Sequence, residues 1–395
     1  MPPYSSGRRA ALAVAMRVEP SEFNRMKLAL IRRQFSATGG AELYLQRLVQ
    51  ALAQRGHEIH VLAEKWAGLP EGVVLHALPV GGIRALRPRR FAEAVQKELN
   101  AHVFDCVFSL ERTIRQDVYR AGDGLHRVWL ERRREFAPAW RRPFIGWGWF
   151  HRQMLALEAE VFNPQNTRHI IVNSRMVRDE ILQNFDFPAE RIHWVPNGVD
   201  VRRFQSGNRQ AARRRWGIGD GDYVLLFAGS GWERKGLRFL LQAVEILNRR
   251  TLPMPLKLVV AGKGRPPKGA PANVIFAGPV PDMENACAAA DLFVLTPIYE
   301  PSANVCIEAL AAGLPVITTR QNGASEWIQD GVNGAVLSSP ADIASLADAI
   351  MAWMARGQVR LKEDAGRYDL ERNVERTLAI LEQAAGERRR EATDG

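Results

Sequence analysis

The chain has 395 residues and a formal net charge of +11, with 46% hydrophobic and 25% charged residues. That balance excludes a disordered or fibrous protein and leaves room for two or three domains, each with its own core. No apolar run approaches the roughly 18 residues that span a bilayer, and Cys106, Cys287 and Cys306 lie in apolar contexts without metal or redox spacing, as for free thiols in a reducing compartment.

Residues 1–25 are rich in Pro, Arg and Ala, and the apolar piece 10–16 is short for a secretory signal. This segment is expected to be a disordered or mis-called extension, with folding starting at Met26. Short apolar strands then alternate with amphipathic helices, a pattern that predicts parallel α/β sheets. In the first half, strands are expected at 28–31, 59–63, 73–78, 106–110, 118–121 and 170–173. Gly39-Gly40 precedes a helix over 41–55 with Leu45, Leu48, Val49 and Leu52 on one face. Those glycines would let a ligand's phosphate or sugar approach closely, although a plain loop accounts for them equally.

Val118-Tyr-Arg-Ala-Gly-Asp123-Gly-Leu-His126 comes at a strand end. Asp123 is a candidate catalytic or acceptor-orienting carboxylate, with His126 as a second polar group; a turn or helix-cap role is the competing reading of Asp123. Farther on, Arg132, Arg133, Arg134, Arg141 and Arg142 interleave with Trp140, Trp147 and Trp149. Basic and aromatic residues together suit an anionic bilayer interface, where each cation adds about 1 kcal/mol. Packing of the aromatics in the first domain's core stays open, as does nucleic acid, for which no surrounding module speaks. Roughly +8 of the +11 falls in the first 200 residues, which points that half toward an anionic partner.

Pro196-Asn-Gly-Val-Asp200 is turn chemistry between domains, after which the pattern restarts. Strands are expected at 223–228, 256–261, 274–276, 292–295 and 316–319. The predicted division is 26–198, 199–365 and a C-terminal helical segment 366–395. Asp220-Gly-Asp222 has the D-x-D spacing of some metal sites but reads as a turn leading into a strand. Gly229-Ser-Gly-Trp-Glu-Arg234-Lys235-Gly236 follows a strand and opens a helix. Arg234 and Lys235 suit a diphosphate, whose negative charge grows as a sugar bond breaks; a solvated basic helix start is the plain alternative.

Glu300-Pro-Ser-Ala-Asn-Val-Cys-Ile-Glu308 runs into Ala309-Leu-Ala-Ala-Gly313-Leu-Pro315-Val. It reads as a loop opening a helix, with Ser302 or Asn304 as the cap. A helix start attracts phosphate, and carboxylates on either side accept from sugar hydroxyls. A phosphate between two polyols describes a nucleotide sugar. A capped helix with two solvated acids is the bland alternative.

The segment from Glu300 to Val316 resembles the E-x7-E signature of the retaining family 4 glycosyltransferases of GT-B fold. The resemblance implies two doubly wound Rossmann-like domains facing a cleft, the C-terminal helix crossing back to the first. It implies that Arg234 and Lys235 hold the donor diphosphate beside Gly229. Glu308 would bind the ribose, Glu300 the transferred sugar, and the backbone of Ser302, Ala303 and Asn304 the phosphate. Val280 would lie near the base, Arg203 would reach the cleft, and Gly39 and Gly40 would sit at the donor–acceptor junction. It further implies an α linkage formed by front-face displacement, with no cofactor and no metal.

The opening Gly-Gly-Ala-Glu, the stretch Val-Leu-Ala-Glu-Lys-Trp66 and the V-Y-x-A-x-D context of Asp123 resemble the lipopolysaccharide-core heptose glucosyltransferases of that family. The implied donor is UDP-glucose and the implied acceptor an anionic glycolipid, the inner-core heptose. The implied location is peripheral, on the cytoplasmic face of the inner membrane, without nucleic acid. Alternatives are a hexosyltransferase for exopolysaccharide, a GT-B epimerase or pyridoxal phosphorylase, and a non-catalytic glycan- or lipid-binding relative. The presence of Glu300, Glu308, Arg234 and Lys235 together argues against the last.

Overall fold

The computed structural model describes residues 25–35, 40–66, 68, 70–362 and 365–394. The expectations for residues 1–24 and for Gly39 lie outside the described residues; Gly40 is the first residue of the helix Gly40–Gln54.

Two parallel sheets form because their strands are near-continuous apolar runs. Leu28 to Ile31 are all buried, as are all six residues of Tyr223–Ala228. Strands buried on both faces need helices on both faces, and parallel strands need crossover helices to connect them. The first sheet runs Val74–Ala77, Glu58–Ala63, Lys27–Ile31, Cys106–Ser109, Gln116–Arg120, Thr167–Val172 and Ile192–Trp194. The second runs Val274–Gly278, Leu256–Ala261, Tyr223–Ala228, Leu292–Val294, Val316–Thr319 and Gly334–Leu337. In both, the first strand of the unit lies centrally and the order reverses beside it, the doubly wound arrangement that opens a crevice at the strands' carboxyl ends.

The helix Leu370–Asp394 returns to the first domain. Val374, Leu378, Leu381 and Ala385 share a core with Leu45, Leu48, Val49 and Leu52 of the helix Gly40–Gln54. Arg388 pairs with Asp117 at 2.8 Å and Arg389 with Asp105 at 3.1 Å along the same seam. At the chain crossing, the Val199 amide donates to the Tyr368 carbonyl at 2.7 Å. A Cβ on Gly198 would sit 2.4 Å from the Leu370 Cα, so only glycine fits there.

The stretch from 126 to 161, which carries the basic and aromatic residues, is largely helical. It forms the helix His126–Glu135, a 3-10 turn Ala139–Phe144 and the helix Trp149–Val161. The three cysteines are buried and free. No helix among the described residues is long and apolar enough to cross a membrane.

Candidate active site

A cavity of about 280 Å³ lies between the domains. Its lining follows the carboxyl ends of strands on both sides. Arg32, Arg120, Asp123 and Asn173 come from the first domain; Lys235, Glu300, Ser302 and Asn304 come from the second.

Lys235 reaches this cavity from the short helix Trp232–Lys235 and is only 9% exposed. Its stem runs across Gly229, where a Cβ would come within 2.5 Å of the lysine Cδ, so the glycine makes the channel for the ammonium. The Lys235 Nζ lies 3.4 Å and the Arg234 guanidinium 3.0 Å from the Glu300 carboxylate. Glu300 therefore pairs with both cations.

The Glu300 loop is clamped from behind by Asn322, which is fully buried. The Asn322 Oδ1 accepts from the Ala303 and Ala324 amides, each at 3.1 Å, and its Nδ2 donates to the Thr318 hydroxyl at 2.9 Å. This corrects the capping expectation. Ala303 precedes the helix Asn304–Ala311, and no side chain caps that end. Asn304 is the first helical residue, and its Oδ1 accepts from Asn197 Nδ2 at 2.7 Å. The Ala303 amide is already engaged by Asn322, so it is not a free donor for a ligand. The Ser302 hydroxyl is buried in the cavity wall without a hydrogen-bond partner. An uncapped helix start, an unpartnered hydroxyl and a buried ammonium together form a seat for an anion.

Glu308 lies outside the cavity lining but within electrostatic reach of Lys235 and Arg203. Burial lifts its carboxyl to about 7; the two cations pull it down and Glu284 pushes it up. Because folding raises this pKa, the stability it contributes is full below the unfolded value near 4.5 and is lost as pH rises through about 7. Glu308→Gln is therefore expected to melt roughly 2 °C or more above the parent at pH 8, with the difference shrinking at pH 5. Melting curves at the two pH values check this, and a variant no more stable at pH 8 than the parent would contradict it.

Arg203 is not among the residues that line the cavity. Its Nε and Nη2 bind Glu284 at 2.9 and 2.8 Å, and Nη2 also donates to the Pro281 carbonyl at 3.1 Å. That holds it beside Val280, which is partly buried against the second core. Asp123 is exposed on the first-domain wall of the cavity. His126 is not in the cavity. It starts a helix, stacks on His151 with ring nitrogens 2.9 Å apart, and uses its amide to bind the Glu158 carboxylate. Burial, Arg112 and His151 depress it to about 4, so it is neutral at physiological pH. Asp222 closes a turn by accepting from the Gly219 amide at 2.8 Å. It stands at the amino end of the strand Tyr223–Ala228, away from the cleft.

Arg120, Asn197 and Tyr299 are among the residues at the site that the sequence did not single out. Arg120 lies 4.3 Å over the Tyr44 ring and donates to the Asn197 Oδ1 at 2.9 Å. Asn197 passes the connection to Asn304, so a polar chain crosses the cleft floor from one domain to the other. Tyr299 also spans the domains, accepting from the Leu125 amide at 3.0 Å and donating to Glu180 at 2.7 Å.

The basic and aromatic stretch divides. Phe136 packs edge-on against Phe239 of the second domain at 6.0 Å. Trp140, Phe144, Trp147 and Trp149 are 67, 61, 72 and 67% exposed, so these rings do not pack in the core. Arg141 lies 4.6 Å over the Trp140 ring. Arg134 and Arg142 bind the Ile145 and Ala137 carbonyls. Arg132 pairs with Glu135 at 3.0 Å and Arg133 with Glu233 at 3.5 Å.

Comparison with known proteins assigns both halves. A family model described as Glycosyltransferase Family 4 matches residues 38–203, and one described as Glycosyl transferases group 1 matches residues 222–356. The lipopolysaccharide glucosyltransferase WaaG of Escherichia coli K12 is 27% identical over 365 residues, covering 87% of this chain and 94% of WaaG. The WaaG crystal structure superposes with a TM-score of 0.74 at 25% identity, over 90% of this chain and 99% of that one. The fold is also that of Anabaena HepE in complex with UDP and glucose, with a TM-score of 0.67, 19% identity and coverage of 90% and 99%.

Proposed function

The chain belongs to the family 4 glycosyltransferases of GT-B fold, and from that premise we propose that it moves glucose from UDP-glucose to a heptose of the lipopolysaccharide inner core with retention of configuration. The observation that carries the reading is the anion seat: Ser302, the uncapped start of Asn304–Ala311 and Lys235 converge on one interdomain cavity. Similarity to WaaG over most of both chains supports the choice of sugar and acceptor.

In this proposal the donor diphosphate replaces Glu300 as the partner of Arg234 and Lys235. Glu300 is then free to accept from the glucose hydroxyls, and Glu308 accepts from the ribose. As the glycosidic bond breaks, the two cations and the helix dipole stabilise the charge that builds on the leaving diphosphate. The acceptor hydroxyl approaches from the first-domain wall, oriented by Asp123, and passes its proton to the leaving phosphate on the same face. Paired cations supply the electrostatic role that a metal fills elsewhere, so turnover is expected to survive EDTA.

The deciding assay is release of UDP from UDP-glucose, with and without a heptose-containing core acceptor. Acceptor-dependent release with an α-linked product supports the proposal. Melting shifts confined to GDP- or ADP-sugars would redirect the donor assignment.

The exposed tryptophans and neighbouring arginines would hold the enzyme at the inner membrane face beside its acceptor. Each ring offers an amphipathic body at headgroup depth, and the cations add electrostatic attraction. Flotation with vesicles containing phosphatidylglycerol is expected to carry the protein. Joint replacement of Trp140, Trp147 and Trp149 by Ser is expected to abolish that. No flotation of the parent protein at moderate salt removes the membrane claim.

A further inference from the structure

At the far edge of the first sheet, the side chains of Glu58, His60, His76, Glu98 and His102 form one row. Glu58 accepts from His60 Nε2 at 2.7 Å, His60 Nδ1 meets His76 Nε2 at 2.8 Å, and His76 Nδ1 meets a Glu98 oxygen at 2.6 Å. The His102 Nε2 lies 3.1 Å from the same Glu98 oxygen. Each of the first three contacts needs a hydrogen between its two atoms, but two neutral imidazoles supply only two. If His60 donates to Glu58 and accepts from His76, the bare His76 Nδ1 faces a carboxylate oxygen. Two acceptors at that distance repel, so the row takes up one further positive charge, carried by a proton or by a metal ion.

We propose that the carrier is a divalent transition metal, zinc by preference, bound by His76 Nδ1, a Glu98 carboxylate oxygen and His102 Nε2. The three ligand atoms lie within 4.8 Å of one another, so side-chain rotation alone can bring them to the spacing set by zinc bonds of about 2.0–2.2 Å. Two imidazoles and one carboxylate suit Zn²⁺, Co²⁺ or Ni²⁺ rather than the all-oxygen preference of Mg²⁺ or Ca²⁺. His60 and Glu58 serve as the outer partners that fix the His76 tautomer and leave its Nδ1 free for the ion. The Phe104 ring backs the cluster, with its centroid 5.3 Å from that of His60 and 6.2 Å from that of His102.

The position assigns the ion a structural task. His76 is on the edge strand Val74–Ala77, whose Val74 and Leu75 are 44 and 39% exposed, and Glu98 is on the helix Arg87–Ala101. An ion shared by the two would fasten a poorly buried edge strand to the helix that follows it. Glu98 and His102 stand at the C-terminal end of the helix Arg87–Ala101 and none of the three ligands lines the interdomain cavity, so the ion takes no part in sugar transfer.

The test uses the full-length, tag-free protein, stripped with EDTA and dialysed. Titration with Zn²⁺ by calorimetry, and with Co²⁺ by visible absorption, is expected to give one ion per chain and a higher melting temperature. His102 is nearly half exposed, so His102→Ala tests the site with little risk to folding. It is expected to weaken binding at least tenfold and to remove the melting shift, as is Glu98→Gln. If no ion binds, or if both variants bind like the parent, the proposal is overturned. The second outcome would place the ion at another histidine pair, such as His126 and His151.

Discussion

Replacing Lys235 with alanine is expected to leave a folded protein and to cut turnover a hundredfold or more. The ammonium is almost wholly buried, and it enters the cavity through the space that Gly229 leaves open. In a site shielded from water, one preorganised donor aimed at developing charge contributes roughly 3 kcal/mol to the transition state, which is about two orders of magnitude in rate. Folding survives because Glu300 keeps Arg234 at 3.0 Å, so the truncation does not strand a buried carboxylate. Lys235→Arg is expected to fare little better than alanine, because a planar guanidinium fork does not put its charge where the compact ammonium sits. Initial rates of UDP release at saturating donor measure the effect; a loss under fivefold removes Lys235 from the mechanism.

Glu300→Gln is expected to divide binding from turnover. Glu300 neutralises the two cations that a diphosphate must recruit. Removing its charge frees them, so UDP is expected to bind as tightly as to the parent or more tightly. The glucose hydroxyls, however, lose an ionised acceptor, and charge-assisted hydrogen bonds are about twice as strong as neutral ones. Turnover is therefore expected to fall by about two orders of magnitude. Calorimetry with UDP, set beside the rate, separates the two effects. A parallel loss of UDP affinity would mean that Glu300 serves the nucleotide rather than the sugar.

The sheets were legible because their strands are unbroken apolar runs between turn residues. The short strands Gln34–Phe35, Lys65–Trp66, Ile192–Trp194 and Gly334–Leu337 were missed. Two to four residues carry too little pattern, and Gly334 lacks a side chain to signal burial. The candidate site was legible where one local segment carries it, as from Glu300 to Glu308 and from Gly229 to Lys235. It was illegible where distant residues complete it. Asn322 binds the Ala303 amide from a separation of 19 residues, Arg120 meets Asn197 at 77 and Asn197 meets Asn304 at 107. No spacing rule predicts such pairs. His126 shows the reverse: it lies close in sequence to a cleft residue, but the entry into its helix turns the ring away toward His151. The alternation of Arg and Trp was visible in the sequence, whereas the pairing of Arg132 and Arg133 with carboxylates was not.

The most direct measurement is a crystal structure of the protein soaked with UDP. The diphosphate should lie within about 3 Å of the Lys235 ammonium and of the Ser302 hydroxyl, over the start of the helix Asn304–Ala311. Nucleotide bound anywhere else, with Lys235 and Glu300 still paired in an empty cavity, would contradict the assignment of this cleft as the donor site.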